Sequence, residues 1–179
     1  MVGTIKVGKL QAADGTGNTI SLESGHKLSG DAGSLAIPGH VIQVQSAQLL
    51  SSSQWSSTVQ TYADIHSVTI TPKFSSSKIL FQLAGEAGSS GDNTAILLKV
   101  IRNIGGGGFT TIGGGGFCYE NNNYEACALS IMDSPSTTSA CIYKVQGARS
   151  STNGTAYYPT NWNIDATEGN TITVMEIAQ

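Results

Sequence analysis

From His40 onward the chain is written in short runs of alternating apolar and polar residues, each closed by a cluster of turn formers. A side chain changes face at every residue along a β-strand, so this alternation specifies half-buried strands and is out of phase with a helix. His66-Ser67-Val68-Thr69-Ile70-Thr71 is the cleanest case, and Pro72 ends it because proline cannot donate to a ladder. The same reading places strands at Val41–Gln48, Ser57–Tyr62, Lys78–Gly85, Glu125–Met132, Thr138–Gly147, Tyr157–Ile164 and Thr171–Ala178. Asn93 to Ile104 contains the most apolar stretch, Ala95-Ile96-Leu97-Leu98-Lys99-Val100-Ile101. Its β-branching and Gly-rich flanks favour a buried strand over a helix. Roughly nine strands at this spacing predict an all-β fold, an antiparallel β-sandwich of jelly-roll type.

Composition agrees. Charged residues make up 12% of the chain and 22 of the 179 residues are Gly. Gly, Ser, Thr and Asn compete poorly in helices and well in turns and on pleated surfaces. The net charge of −3 and the scattering of nine Lys and Arg argue against nucleic acid as a partner. No apolar run approaches the length of a membrane span. The start, Met1 to Val7, lacks the charged and apolar regions of a secretory signal. Cys118, Cys127 and Cys141 form no CxxC pair and lie far from His26, His40 and His66, so they read as reduced thiols packed as small hydrophobes.

Residues 1–40 differ from the rest and are expected to form a separate attachment segment ahead of a β domain spanning 41–179. Their large apolar residues include Ile5, Val7, Leu10, Ile20, Leu22, Leu28, Leu35 and Ile37. Spread over that length, they are too few for an independent core. Such a segment is expected to order by docking on other copies or on a larger assembly, with Ile5, Val7, Leu10, Ile20, Leu22, Leu35 and Ile37 as contacts.

Two features of the β domain stand out. Ile104-Gly105-Gly106-Gly107-Gly108-Phe109 returns as Ile112-Gly113-Gly114-Gly115-Gly116-Phe117. The glycine runs read as two turns flanking a short strand, or as a peripheral loop anchored by Phe109 and Phe117. Tyr124, Tyr157, Tyr158 and Trp162 sit among Asn and Ser residues, a setting in which rings stack on sugars and amides bond their hydroxyls. These six aromatics are the expected surface or receptor contacts. No HExxH, G-x-S-x-G, phosphate loop or EF-hand loop is present, so neither an enzyme nor a cofactor or metal site is expected.

The residues Gly3-Thr4-Ile5-Lys6-Val7, Gly17-Asn18-Thr19-Ile20-Ser21-Leu22 and Gly33-Ser34-Leu35-Ala36-Ile37-Pro38-Gly39 resemble the start of small virion structural proteins of marine tailed phages, cyanophages especially. Tyr62-Ala63-Asp64-Ile65-His66-Ser67-Val68-Thr69-Ile70-Thr71-Pro72, continuing to Ser77-Lys78-Ile79-Leu80, is similar to a second block of those proteins, with Ile65-His66 where Gly-Leu is usual. The resemblance implies a virion component made in the bacterial cytoplasm, a homotrimer whose first segment docks on other virion proteins and whose β domain projects outward, on either tail or capsid. A tail-fibre or knob protein is the first expectation. A capsid decoration protein and a carbohydrate-binding module that recognises host surface glycans are the alternatives.

Overall fold

The computed structural model describes residues 37–50, 54–91, 93–117, 123–159 and 169–179. Their strands are β1 (Val41–Leu50), β2 (Trp55–Ser57), β3 (Ala63–Ile70), β4 (Lys78–Ser90) and β5 (Ile96–Ile104), followed by β6 (Phe109–Phe117), β7 (Asn123–Asp133), β8 (Cys141–Arg149), β9 (Thr155–Tyr158) and β10 (Gly169–Ile177). All pair antiparallel and form two sheets. In the first, β1, β10, β4 and β7 run side by side, with the short β9 and β2 continuing past the end of β10. The second has the order β3-β8-β5-β6.

With β2 and β9 set aside, the remaining strands follow the order 1-8-3-6 in one sheet and 2-7-4-5 in the other. This is the connectivity of a jelly roll, two interlocked Greek keys. The expected sandwich therefore forms. The Pro38-Gly39 turn leads directly into β1, and Gly39 N donates to Ala178 O at 2.9 Å. Residues 1–36 lie outside the described residues.

The inner faces carry the alternation read from the sequence. Val68 and Ile70 from β3, Ile79, Phe81 and Leu83 from β4, Ile96, Leu98 and Val100 from β5, and Ile172 and Val174 from β10 meet in one core. Each such side chain taken out of water stabilises the fold by about 1.5–3 kcal/mol. Two corrections concern strand bounds. Ser57–Tyr62 is not a strand: β2 stops at Ser57, whose hydroxyl caps the Val59 amide at 3.1 Å and turns the chain. The second glycine run is not a turn but part of β6, paired with β5 from Ile96↔Phe117 to Asn103↔Phe109.

The physical reason for β6 lies in the facing sheet. A β carbon on Gly113 would sit 2.6 Å from Ile131 Cδ1, so the side chains of β7 fill the space the glycines leave. The first run does turn. Gly105 and Gly106 have φ of +56° and +83°, and Asn103 Oδ1 accepts from Gly106 N at 3.0 Å.

Polar groups that the core encloses serve to tie strands together. Glu176, fully buried, accepts from Lys73 N at 2.8 Å, Phe74 N at 3.1 Å and Gln43 Nε2 at 2.6 Å. It thereby anchors the β3–β4 turn and β1 to β10. Glu176→Gln keeps an acceptor for the two amides but turns its own NH2 toward Gln43 Nε2, which already donates to Thr71 O. A loss of about 1–2 kcal/mol is expected in urea unfolding, with the midpoint shifted and the slope unchanged.

Candidate functional site

Among the described residues, three places concentrate chemistry: a cross-sheet ionic cluster, a crevice containing a histidine, and the outer face of the first sheet.

The cluster joins the sheets. Arg102 on β5 donates through one nitrogen to both Asp133 oxygens, at 2.6 and 2.7 Å, and Tyr143 on β8 donates its hydroxyl to Asp133 Oδ2 at 2.7 Å. Burial works against the Arg102 charge, but Asp133 more than offsets it and the pKa rises. Burial also pushes the Tyr143 phenol well above its usual range, and its bond to Asp133 reinforces the shift. The phenol is therefore a fixed donor. Cys141 borders the cluster, its thiol pKa raised by burial. The Asp133 carboxylate, Arg102 Nη1 and the Tyr143 hydroxyl are thus engaged in holding β7 against β5 and β8.

The crevice lies between the edges of β1 and β3. It measures about 350 Å³ and is lined by Ala47, Gln48, Asp64, Ile65, His66, Ser67 and Lys144. His66 is buried and neither ring nitrogen has a partner of hydrogen-bond geometry. Burial pulls its pKa down to about 4, against a weaker opposing pull from the Ala47 backbone, which is near the ring without bonding it well. On the rim Lys144 and Gln146 donate to Asp64 at 2.5 and 2.7 Å and lower its pKa in that order. That pair is exposed and stabilises little.

Folded His66 stays neutral down to about pH 4, whereas the unfolded residue titrates near 6.5. Below 6.5 the unfolded chain binds the extra proton, so stability falls as pH drops from about 6.5 to about 4 and is flat above. The difference corresponds to at most about 3–4 kcal/mol. His66→Leu is expected to flatten this part of the stability curve, measured by urea unfolding at a series of pH values.

The expected contact residues separate. Ile5, Val7, Leu10, Ile20, Leu22, Leu35 and Trp162 lie outside the described residues, as does Cys118. Ile37 is exposed at the corner where β1 meets the end of β10. Phe109 is exposed on the outer side of the second sheet, with Lys144 Nζ 4.7 Å from its ring centre. Phe117, at the far end of β6, is half-buried and packs on the core. Tyr158 is corrected outright: it is fully buried, because it shares the inward row of β9 with Ala156 and pairs with Trp55. Tyr124 and Tyr157, both half-buried, are brought together as the partners of Gly88 on its two sides, in one row of the first sheet.

The third place is the outer face of the first sheet. Register places Val44, Met175, Leu80 and Met132 in one row across four strands. The next two rows are Ser46-Thr173-Gln82-Ser130 and Gln48-Thr171-Ala84-Ala128. None of the twelve carries a charge. The mixed faces of Thr171–Ala178 were a signal for it, since Met175 and Ile177 point away from the core that Ile172 and Val174 enter.

No family model matches this chain, and no curated protein matches it. Among solved structures it is similar to "Structure of infectious bursal disease virus Gx strain", at 11% identity and a TM-score of 0.37, covering 89% of this chain and 42% of that one. The corresponding structure of the Gt strain gives 12% identity and a TM-score of 0.40, over the same shares. The chain thus spans about two-fifths of those chains' length. Likeness at this level is too slight to bear on function.

Proposed function

We propose that this chain is a structural component of a tailed-phage virion, of tail-fibre or knob type. Its first forty residues dock on the particle and its jelly roll projects outward, assembled as a homotrimer. The observation that carries the reading is how the fold uses its polar groups. Glu176, Asp133 and Asn170 bind strands to one another, while the outer face of the first sheet presents three uncharged rows suited to packing. The resemblance of residues 3–39 and 62–80 to marine phage virion proteins adds the location. Immunogold labelling of intact particles with antibody to the β domain tests it. Label at the tail is the expected result. Label spread evenly over the head favours the decoration alternative, and no label on particles overturns both.

A second reading, glycan binding, is favoured by the placing of Tyr124 and Tyr157 on either side of Gly88, a bare backbone position between two rings. Glycan-array binding that disappears in Tyr157→Ala is the expected outcome for that reading.

A further inference from the structure

We infer that the outer face of the first sheet pairs with the same face of a second copy, ridge into trough, about a two-fold axis. This goes beyond the virion reading and does not depend on it; in a trimer the three-fold contact then lies on another surface, and this face joins one trimer to the next.

The face has relief as well as neutrality. Val44 and Met132, 51% and 52% exposed, bound an apolar ridge that continues through Met175 and Leu80. Beside it the small side chains of Ala84, Ala128, Ser130, Thr171 and Thr173, with Gln82, line a shallow depression of about 390 Å³. Rows on one side of a sheet repeat every two residues, about 6.7 Å apart. Ridge and trough are therefore parallel neighbours. A two-fold axis lying between two such faces, parallel to the rows and midway between ridge and trough, sets the ridge of each copy over the trough of the other. One contact is then made twice, as isologous interfaces require.

Charge and area identify the occupant. The twelve positions carry no charge, so their contact with a second copy brings no like-charge repulsion, and the two flanking rows hold one charge of each sign, Lys78 beside the ridge and Glu86 beyond the trough. Strand spacing and rise give the three rows about 400 Å² of flat area per copy. With its flanks, a pair covers about 1,000 Å² in total, the lower end of specific interfaces. Pairing should accordingly be reversible, with a dissociation constant on the order of 10–1,000 µM.

Sedimentation equilibrium of the full chain over that range is the test. The expected result is a weight-average mass that doubles with concentration. Val44→Lys/Met132→Lys changes two exposed side chains, so the fold is retained, and it should weaken pairing at least about 100-fold by placing charge against an apolar trough. Ala84→Arg, which fills the trough, should act likewise. Phe109→Lys, on the other sheet, should leave pairing unchanged. A wild-type mass constant across the range overturns the inference, as does pairing that survives both face variants.

Discussion

Asp133→Ala is expected to destabilise the fold by about 3–5 kcal/mol, one of the largest effects of any single substitution in this chain. The carboxylate is the shared acceptor for Arg102 on β5 and Tyr143 on β8. Its removal strands a guanidinium whose side chain is only 16% exposed, and leaves a fully buried phenol without its acceptor. The cost comes from the orphaned charge more than from the lost attraction. Removing both partners separates the two: Asp133→Leu combined with Arg102→Met should recover most of the stability, because no buried charge remains. Tyr143→Phe, which deletes one hydrogen bond to a charged acceptor, should cost about 1.5–3 kcal/mol. Urea unfolding midpoints at pH 7 measure all three. A loss below about 1 kcal/mol for Asp133→Ala would mean the cluster is not a structural tie.

The second large effect is expected at Gly85. Here β10 leaves β4 and β9 has not yet begun to pair, so the backbone of Glu86 lacks a neighbouring strand on that side. Asn170, 1% exposed, fills the gap: its Oδ1 accepts from Glu86 N at 2.7 Å and its Nδ2 donates to Glu86 O at 2.7 Å. A β carbon at residue 85 would lie 1.9 Å from Asn170 Oδ1 and 2.8 Å from its Cβ. Gly85→Ala therefore expels Asn170 from its site, with an expected cost of about 2–4 kcal/mol. Asn170→Ala loses the same two bonds without the clash. Truncating Asn170 to alanine removes its Oδ1 and Cγ but leaves its Cβ 2.8 Å from a β carbon at 85. The double variant should therefore be worse than Asn170→Ala alone, yet by clearly less than the loss Gly85→Ala causes in the wild type. Additive losses in that cycle would contradict the clamp.

These two sites mark what a single sequence conceals. The strands were legible because the core of a sandwich prints itself as alternation: Val68 and Ile70, or Ile172 and Val174, announce their inward face locally. The jelly-roll type was legible from the number and spacing of strands. Their order was not, because it rests on pairings such as β1 with β10 and β3 with β8 that join distant residues. Asp133 directly follows the expected strand Glu125–Met132 and nothing in the local sequence sets it apart; only the packing of β7 over β5 makes it a buried partner. The second glycine run misled for a related reason. Its strand character comes from β5 beside it and Ile131 opposite, not from its own side chains. Tyr158 misled because loop-like neighbours hid the two-residue period that carries it inward.

The candidate surface was half legible. Met175 and Ile177 on the polar-phase face of β10 pointed to a second packing surface, yet the row with Val44, Leu80 and Met132 needs the register to appear. The virion reading draws on residues 3–39 as well, and its most direct test is chemical. Mass spectrometry of gradient-purified particles from a phage encoding this chain should find its peptides at a stoichiometry that stays fixed through successive density gradients. Peptides present in the infected lysate but lost from purified particles would contradict the account.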